Sequence, residues 1–129
     1  MKLVIAPNPI LKTNCLPCGP LDVRTVVQAF ALLQQHKGLG LAAPQMGIAE
    51  RWFVTAWGEL FVNPTVELHG ILIDSQEGCL SIPGKQFVVR RATEVRVLGR
   101  TYTGERAVVL QHESDHLDGI LISDIGVPA

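Results

Sequence analysis

Two histidines four residues apart, His112 and His116, with Glu113 directly after the first, constrain this chain more than any other feature. An α-helix turns once every ~3.6 residues, so positions i and i+4 stack on one face and two imidazoles there can reach one metal ion. Glu113 lies one step round the helix, near enough to meet a metal-activated water without ligating. In a loop the same residues would lose that geometry. The flanking pattern predicts the helix itself, from about Gly104 to Asp118 and closed by Gly119, with Ala107, Val108, Leu110 and Leu117 toward a core.

Two imidazoles do not complete a site, because a catalytic metal usually keeps three protein ligands and an open position. The thirteen residues after His116 contain no His and no Glu. Asp118 and Asp124 are available there, but Asp118 lies only two positions on, at the wrong side of the helix. The third ligand is therefore expected upstream, among Cys79, His69, His36 and the pair Cys15/Cys18. Cys79 follows a glycine in Glu77-Gly78-Cys79-Leu80-Ser81, at a strand end or turn, and a soft thiolate suits zinc or ferrous iron. His36 ends a helix, where capping is the simpler role. His69 reads as a surface residue of a strand. Cys15 and Cys18 fall in a proline-broken segment, unlike a redox pair that opens a helix.

Elsewhere the pattern alternates between elements. Four of the eight prolines fall in the first 20 residues, which are expected to be extended or looped. Val23, Val26, Val27, Phe30 and Leu33 recur at helical spacing, with Asp22 placed to cap the start and Gly38 to end the helix. Short β-rich runs follow at 51–56, 59–64, 65–73, 85–91 and 93–102, divided by turn residues. Strands that are short and sequential, with one helix early and one late, predict an α+β fold. Its antiparallel strands would pack around the helix that carries His112 and His116. The stretch Gly38-Leu39-Gly40-Leu41-Ala42-Ala43-Pro44-Gln45 matches a dinucleotide fingerprint in letters only. A helix precedes it where a strand is required, and Pro44 stands where the phosphate-binding helix should begin. Its small residues instead leave room for an extended substrate along the backbone.

Composition bounds the rest. A chain of 129 residues reads as one domain, 1–129, and 47% apolar residues are enough for a core. A formal net charge of -1 gives no electrostatic case for nucleic acid. No apolar run approaches the ~20 residues of a membrane span. The N-terminus lacks the apolar length of a signal peptide, and three cysteines fit a reducing compartment, so a cytoplasmic location is expected.

GLGLAAPQ, EGCLS and QHESDH, in that order, resemble the three motifs of the peptide deformylase family, and the early PNPIL and Asn63-Pro64 resemble it too. The likeness covers nearly the whole chain. It implies a hydrolase that removes the formyl group from formyl-methionyl nascent chains and releases formate. It implies one divalent metal, ferrous iron in the native state with zinc, nickel or cobalt as replacements, held by Cys79, His112 and His116. Glu113 would act as general base and then acid, while Gln45 and the backbone of Leu80 would donate to the developing oxyanion. Leu39, Gly40, Gly78 and Val108 would bind substrate. A carboxylate matching Glu77 would pair with Arg91 to hold the Cys79 loop. The chain stops soon after the second helix, where most deformylases continue, so it resembles the short forms carried by bacteriophages. Ribosome contact is accordingly expected to be weak. Gln86 stands where many members carry an arginine. A small zincin-type endopeptidase or a non-catalytic metal-binding module would share the two histidines, but neither needs Cys79 together with Gln45 and Glu113.

Overall fold

The computed structural model describes residues 1–129. The first helix, α1, spans Val23–Gln35, and the side chain of Asp22 accepts from the Arg24 N–H at its start. Its buried stripe is Ala29, Leu32 and Leu33, whereas Val23 and Val27 face solvent. The expected face was therefore rotated: Leu32, not the early valines, completes the side that packs on the strands. The helix also ends at Gln35, short of the expected stop at Gly38. Lys37 takes the left-handed turn (φ 54°), and Gly38 donates back to the Leu33 carbonyl.

Seven strands form two antiparallel sheets. The first sheet joins β1 (Gly40–Ala42), β2 (Trp52–Thr55) and β3 (Leu60–Val62) in that order. The second joins β4 (Glu67–Cys79), β5 (Ile82–Val97) and β6 (Arg100–Thr103), with β7 (Val127–Pro128) also on β5. The two runs expected at 85–91 and 93–102 are thus divided elsewhere. β5 continues unbroken through Ala92, and the turn falls at Leu98-Gly99, both at positive φ (51° and 76°). Two successive positive φ angles give the turn twist that suits a tight hairpin. Within the first 20 residues, Pro9–Lys12 forms a 3-10 turn where only loop was expected.

The helix α2 (Gly104–Leu117) lies between the sheets, and Thr103 precedes it as the N-cap. Ala107, Leu110 and Leu117 are buried with Phe53, Phe61, Val95, Val97 and Tyr102 in one core cluster. Val108, expected in that core, is instead only partly buried. A buried side chain fixes the helix against β5: Gln111 accepts from the Ala92 N–H at 2.9 Å and donates to the Ala92 carbonyl at 2.8 Å. Both polar ends of the amide are thereby satisfied inside the core, as burial requires. A short C-terminal helix, α3 (Ile122–Ile125), follows, and Asp124 pairs with Lys12. The architecture is the α+β arrangement read from the sequence, with this last helix added.

Candidate metal centre and cleft

Three elements meet at one place. β4 ends at Cys79, α2 carries His112 and His116 one turn apart, and β1 runs past them with Gly40. The ligand atoms of Cys79, His112 and His116 all lie within 4.8 Å of one another. Cys79 Sγ is 3.5 Å from His116 Nε2. A thiolate with two imidazoles is a donor set suited to zinc or ferrous iron, so the residues fit such an ion. Buried polar atoms also stand unpartnered here: His116 Nδ1 and Glu113 Oε1 make no hydrogen bond.

Beside the three donors, an anionic relay fixes one imidazole. His112 Nδ1 donates to Glu77 Oε1 at 2.9 Å, which leaves Nε2 for the cluster. Arg91 grips Glu77 with two bonds of 2.8 Å and reaches Asp115 Oδ2 with its third, at 2.6 Å. Burial alone would raise Glu77, yet the bonds and charges of Arg91 and His112 outweigh it and hold the carboxyl down at about 2. Burial would likewise lower His112, but Cys79 and Glu77 as hydrogen-bond partners, with the charges of Glu113 and Cys79, push it up to about 10. Its neighbour moves the other way: burial, then the charges of His112 and Arg91, hold His116 well below the usual imidazole range.

Glu113 is almost wholly buried, and burial pushes its carboxyl up to about 7 against the pull of His112 and Arg91. A divalent cation at the adjacent donors would favour the ionised form. The space around this carboxylate exists because residue 40 has no side chain. A Cβ on Gly40 would lie 2.6 Å from Glu113 Oε2.

A cleft of about 900 Å³ opens over the cluster. Leu39, Gly40, Gln45, Gly78, Cys79, Leu80, Val108, His112 and Glu113 all line it. His116 is buried beneath, 1% exposed. The sequence-derived site residues are therefore gathered in one region. The other upstream candidates are not in the donor group. His36 sits at the cleft mouth as the C-cap of α1, and His69 lies on β4 opposite Glu94. Cys15 and Cys18 are free thiols directed at the Thr13 carbonyl and at Asn63. Asp118 pairs with Arg51.

Two participants escaped sequence reasoning. Asp115 reads as a filler position between the histidines, although one helical turn separates it from His112 and turns it toward Arg91. Ser81 reads as the tail of the Cys79 segment, and only the fold brings it to Gln45, 36 residues earlier, at 3.1 Å.

The chain as a whole is similar to known proteins. A family model described as polypeptide deformylase matches residues 1–127. A peptide deformylase of Acidothermus cellulolyticus is 35% identical over 91% of this chain and 73% of its own. The crystal structure of a peptide deformylase from Synechococcus elongatus, in complex with actinonin, superposes with a TM-score of 0.90 at 31% identity, covering 97% of this chain and 78% of that one. A deformylase from the Vibrio parahaemolyticus bacteriophage VP16T, also bound to actinonin, gives 0.86 at 28% identity, over 95% of this chain and all of its own.

Proposed function

The chain belongs to the polypeptide deformylase family, metal-dependent hydrolases that remove the formyl group from nascent polypeptides, and we propose how its own residues divide that work. The observation that carries the reading is the Cys79–His112–His116 donor set, within 4.8 Å, beside the buried carboxylate of Glu113. Cys79, His112 and His116 would hold the ion, which we take to be ferrous iron, with zinc, nickel or cobalt able to replace it. Once bound, such an ion polarises the formyl oxygen and lowers the pKa of a water.

Glu113 takes the proton of the attacking water on its carboxylate and hands it to the departing amine, so that formate and a free N-terminus result. The Gln45 amide and the backbone N–H of Leu80 receive the negative charge that develops on the formyl oxygen. Gly40 pairs its backbone with the peptide in strand fashion and Gly78 leaves that peptide room, while Leu39 and Val108 offer the methionine side chain an apolar surface. Glu77, held by Arg91, aims the His112 ring. Residues 1–129 act in this reading as one catalytic domain in protein biosynthesis, at the stage of N-terminal methionine processing. No helix is long and apolar enough to cross a membrane. The compartment we propose is the cytoplasm, where nascent chains emerge, with at most a weak contact to the ribosome.

The test is formate release from formyl-Met-Ala-Ser by protein purified without oxygen and loaded with ferrous iron or nickel. Release that requires the metal is expected. Cleavage of internal peptide bonds without formate would move the chain to an endopeptidase reading. A folded, metal-loaded protein with neither activity would point to a binding role.

A further inference from the structure

Gln45 is 1% exposed and sits on the 3-10 turn Ala43–Met46, yet its amide reaches the cleft. Its Oε1 accepts from the Ala42 N–H at 2.9 Å. That contact fixes which way round the amide lies, because the opposite orientation would set two donors against each other. Its Nε2 donates to Ser81 Oγ at 3.1 Å and lies 3.6 Å from Cys79 Sγ. A primary amide has two N–H groups. One is taken by Ser81, and the other reaches Cys79 Sγ in the donor cluster, at an ordinary length for a bond to sulfur.

Ser81 itself is fully buried and lines no part of the cleft. Its backbone is tied to that of Gln45 through a third segment. Val4 donates to the Gln45 carbonyl at 2.7 Å, and Ala6 donates to the Ser81 carbonyl at 2.8 Å. The three residues 4–6 therefore strap together the backbones of two positions that are distant in sequence.

We propose that Ser81 is a positioning residue for formyl hydrolysis: its hydroxyl holds one N–H of Gln45 so that the other meets the formyl oxygen of the substrate. This rests on the deformylase reading and adds to it a group that does not touch substrate. The physical gain is that the donor is already oriented before charge develops, which is the condition under which such a bond lowers a barrier.

A double-mutant cycle on the full, nickel-loaded chain tests it, with formyl-Met-Ala-Ser as substrate and Ser81→Ala, Gln45→Ala and the double variant compared. Ser81→Ala is expected to lower kcat on the order of tenfold, within the range for a misaligned donor, and to leave KM within about twofold. In the Gln45→Ala background the same substitution is expected to change kcat by less than about twofold. An equal loss in both backgrounds would show that Ser81 acts on the fold alone and would overturn the proposal. So would an unchanged kcat in Ser81→Ala. Should that variant not fold, Ser81→Cys keeps the volume with a poor acceptor and carries the same cycle.

A second readout needs neither metal nor activity. In ¹⁵N spectra of the metal-free protein, the side-chain NH₂ of Gln45 is expected to exchange slowly with water, and Ser81→Ala is expected to remove that protection while backbone dispersion stays. An unaltered Gln45 side-chain signal would overturn the proposal. Absence of formate from the unsubstituted enzyme would instead count against the deformylase reading, and the two failures are distinct.

Discussion

The carboxylate of Glu113 occupies the place where a side chain on residue 40 would begin, so that a Cβ there would lie 2.6 Å from Oε2 and 2.7 Å from Cγ. Two residues 73 positions apart in the sequence thus share one volume, and the smaller must be glycine for the larger to be seated. Gly40→Ala is expected to push Glu113 out of line, at a cost of about 1–3 kcal/mol in stability and at least tenfold in kcat. Thermal unfolding and formate release on the same preparation check both. Wild-type turnover in this variant would mean that Glu113 has slack to move.

Glu113→Gln keeps the shape and removes the base. The variant is expected to bind metal in full and to lose on the order of 10²-fold or more in kcat. Its stability should also diverge from wild type in a set direction when metal is removed. In the folded chain the Glu113 carboxyl is raised to about 7 from a value near 4.5, so the unfolded state holds fewer protons between those limits. Wild type therefore loses stability relative to the variant as pH rises from about 4.5 to 7, by on the order of 3 kcal/mol, and the gap is level above that. Denaturant titrations at several pH values in chelator measure it. A pH-independent difference would refute the assigned burial cost.

Arg91→Met leaves Glu77 buried with His112 as its remaining partner. Breaking a buried pair from one side typically costs about 3–5 kcal/mol. Because Glu77 also orients His112, metal affinity should fall about 10- to 100-fold as well. Arg91→Lys keeps the charge but cannot reproduce the two-bond grip on Glu77 and the bond to Asp115, and is expected to fall between. Metal competition with a chromophoric chelator, alongside thermal unfolding, separates the two effects.

Cys79→Ala removes one of three donors from a site that two imidazoles on one helix cannot close. Stoichiometric metal is expected to be lost, as read by elemental analysis after dialysis, while the fold persists because Cys79 packs at the rim of a small cluster with Phe87, Val89 and Ile122. A variant that still holds one equivalent would require a different third ligand.

The legibility of these features in the sequence follows from how local each one is. His112, Glu113 and His116 are readable because helical geometry alone places them. Cys79 could be named as a candidate but not selected by spacing, since the turn that brings β4 to α2 is tertiary. Val23 and Val27 mislead for a related reason. Periodicity gives a stripe on α1, but which edge of the stripe meets β2 is decided by the neighbouring element. Ala92 gives no hint of interrupting or continuing a strand, and β5 runs through it because Gln111 pairs with its backbone from another element. The relay from Asp115 through Arg91 and Glu77 to His112 joins residues from two strands and a helix, and no window of sequence contains it.

Cys79 rides the end of a strand hairpin, while its partners His112 and His116 ride a helix whose first residue comes 25 positions later. The donors converge only once that hairpin has met the helix, so before the two elements dock the chain holds no site that joins Cys79 to both imidazoles. Ion capture during refolding should therefore trail the docking of these two elements instead of guiding it. A thiolate–cobalt absorption band, followed in time beside tryptophan emission, would then serve as a clock for the docking of this hairpin on its helix.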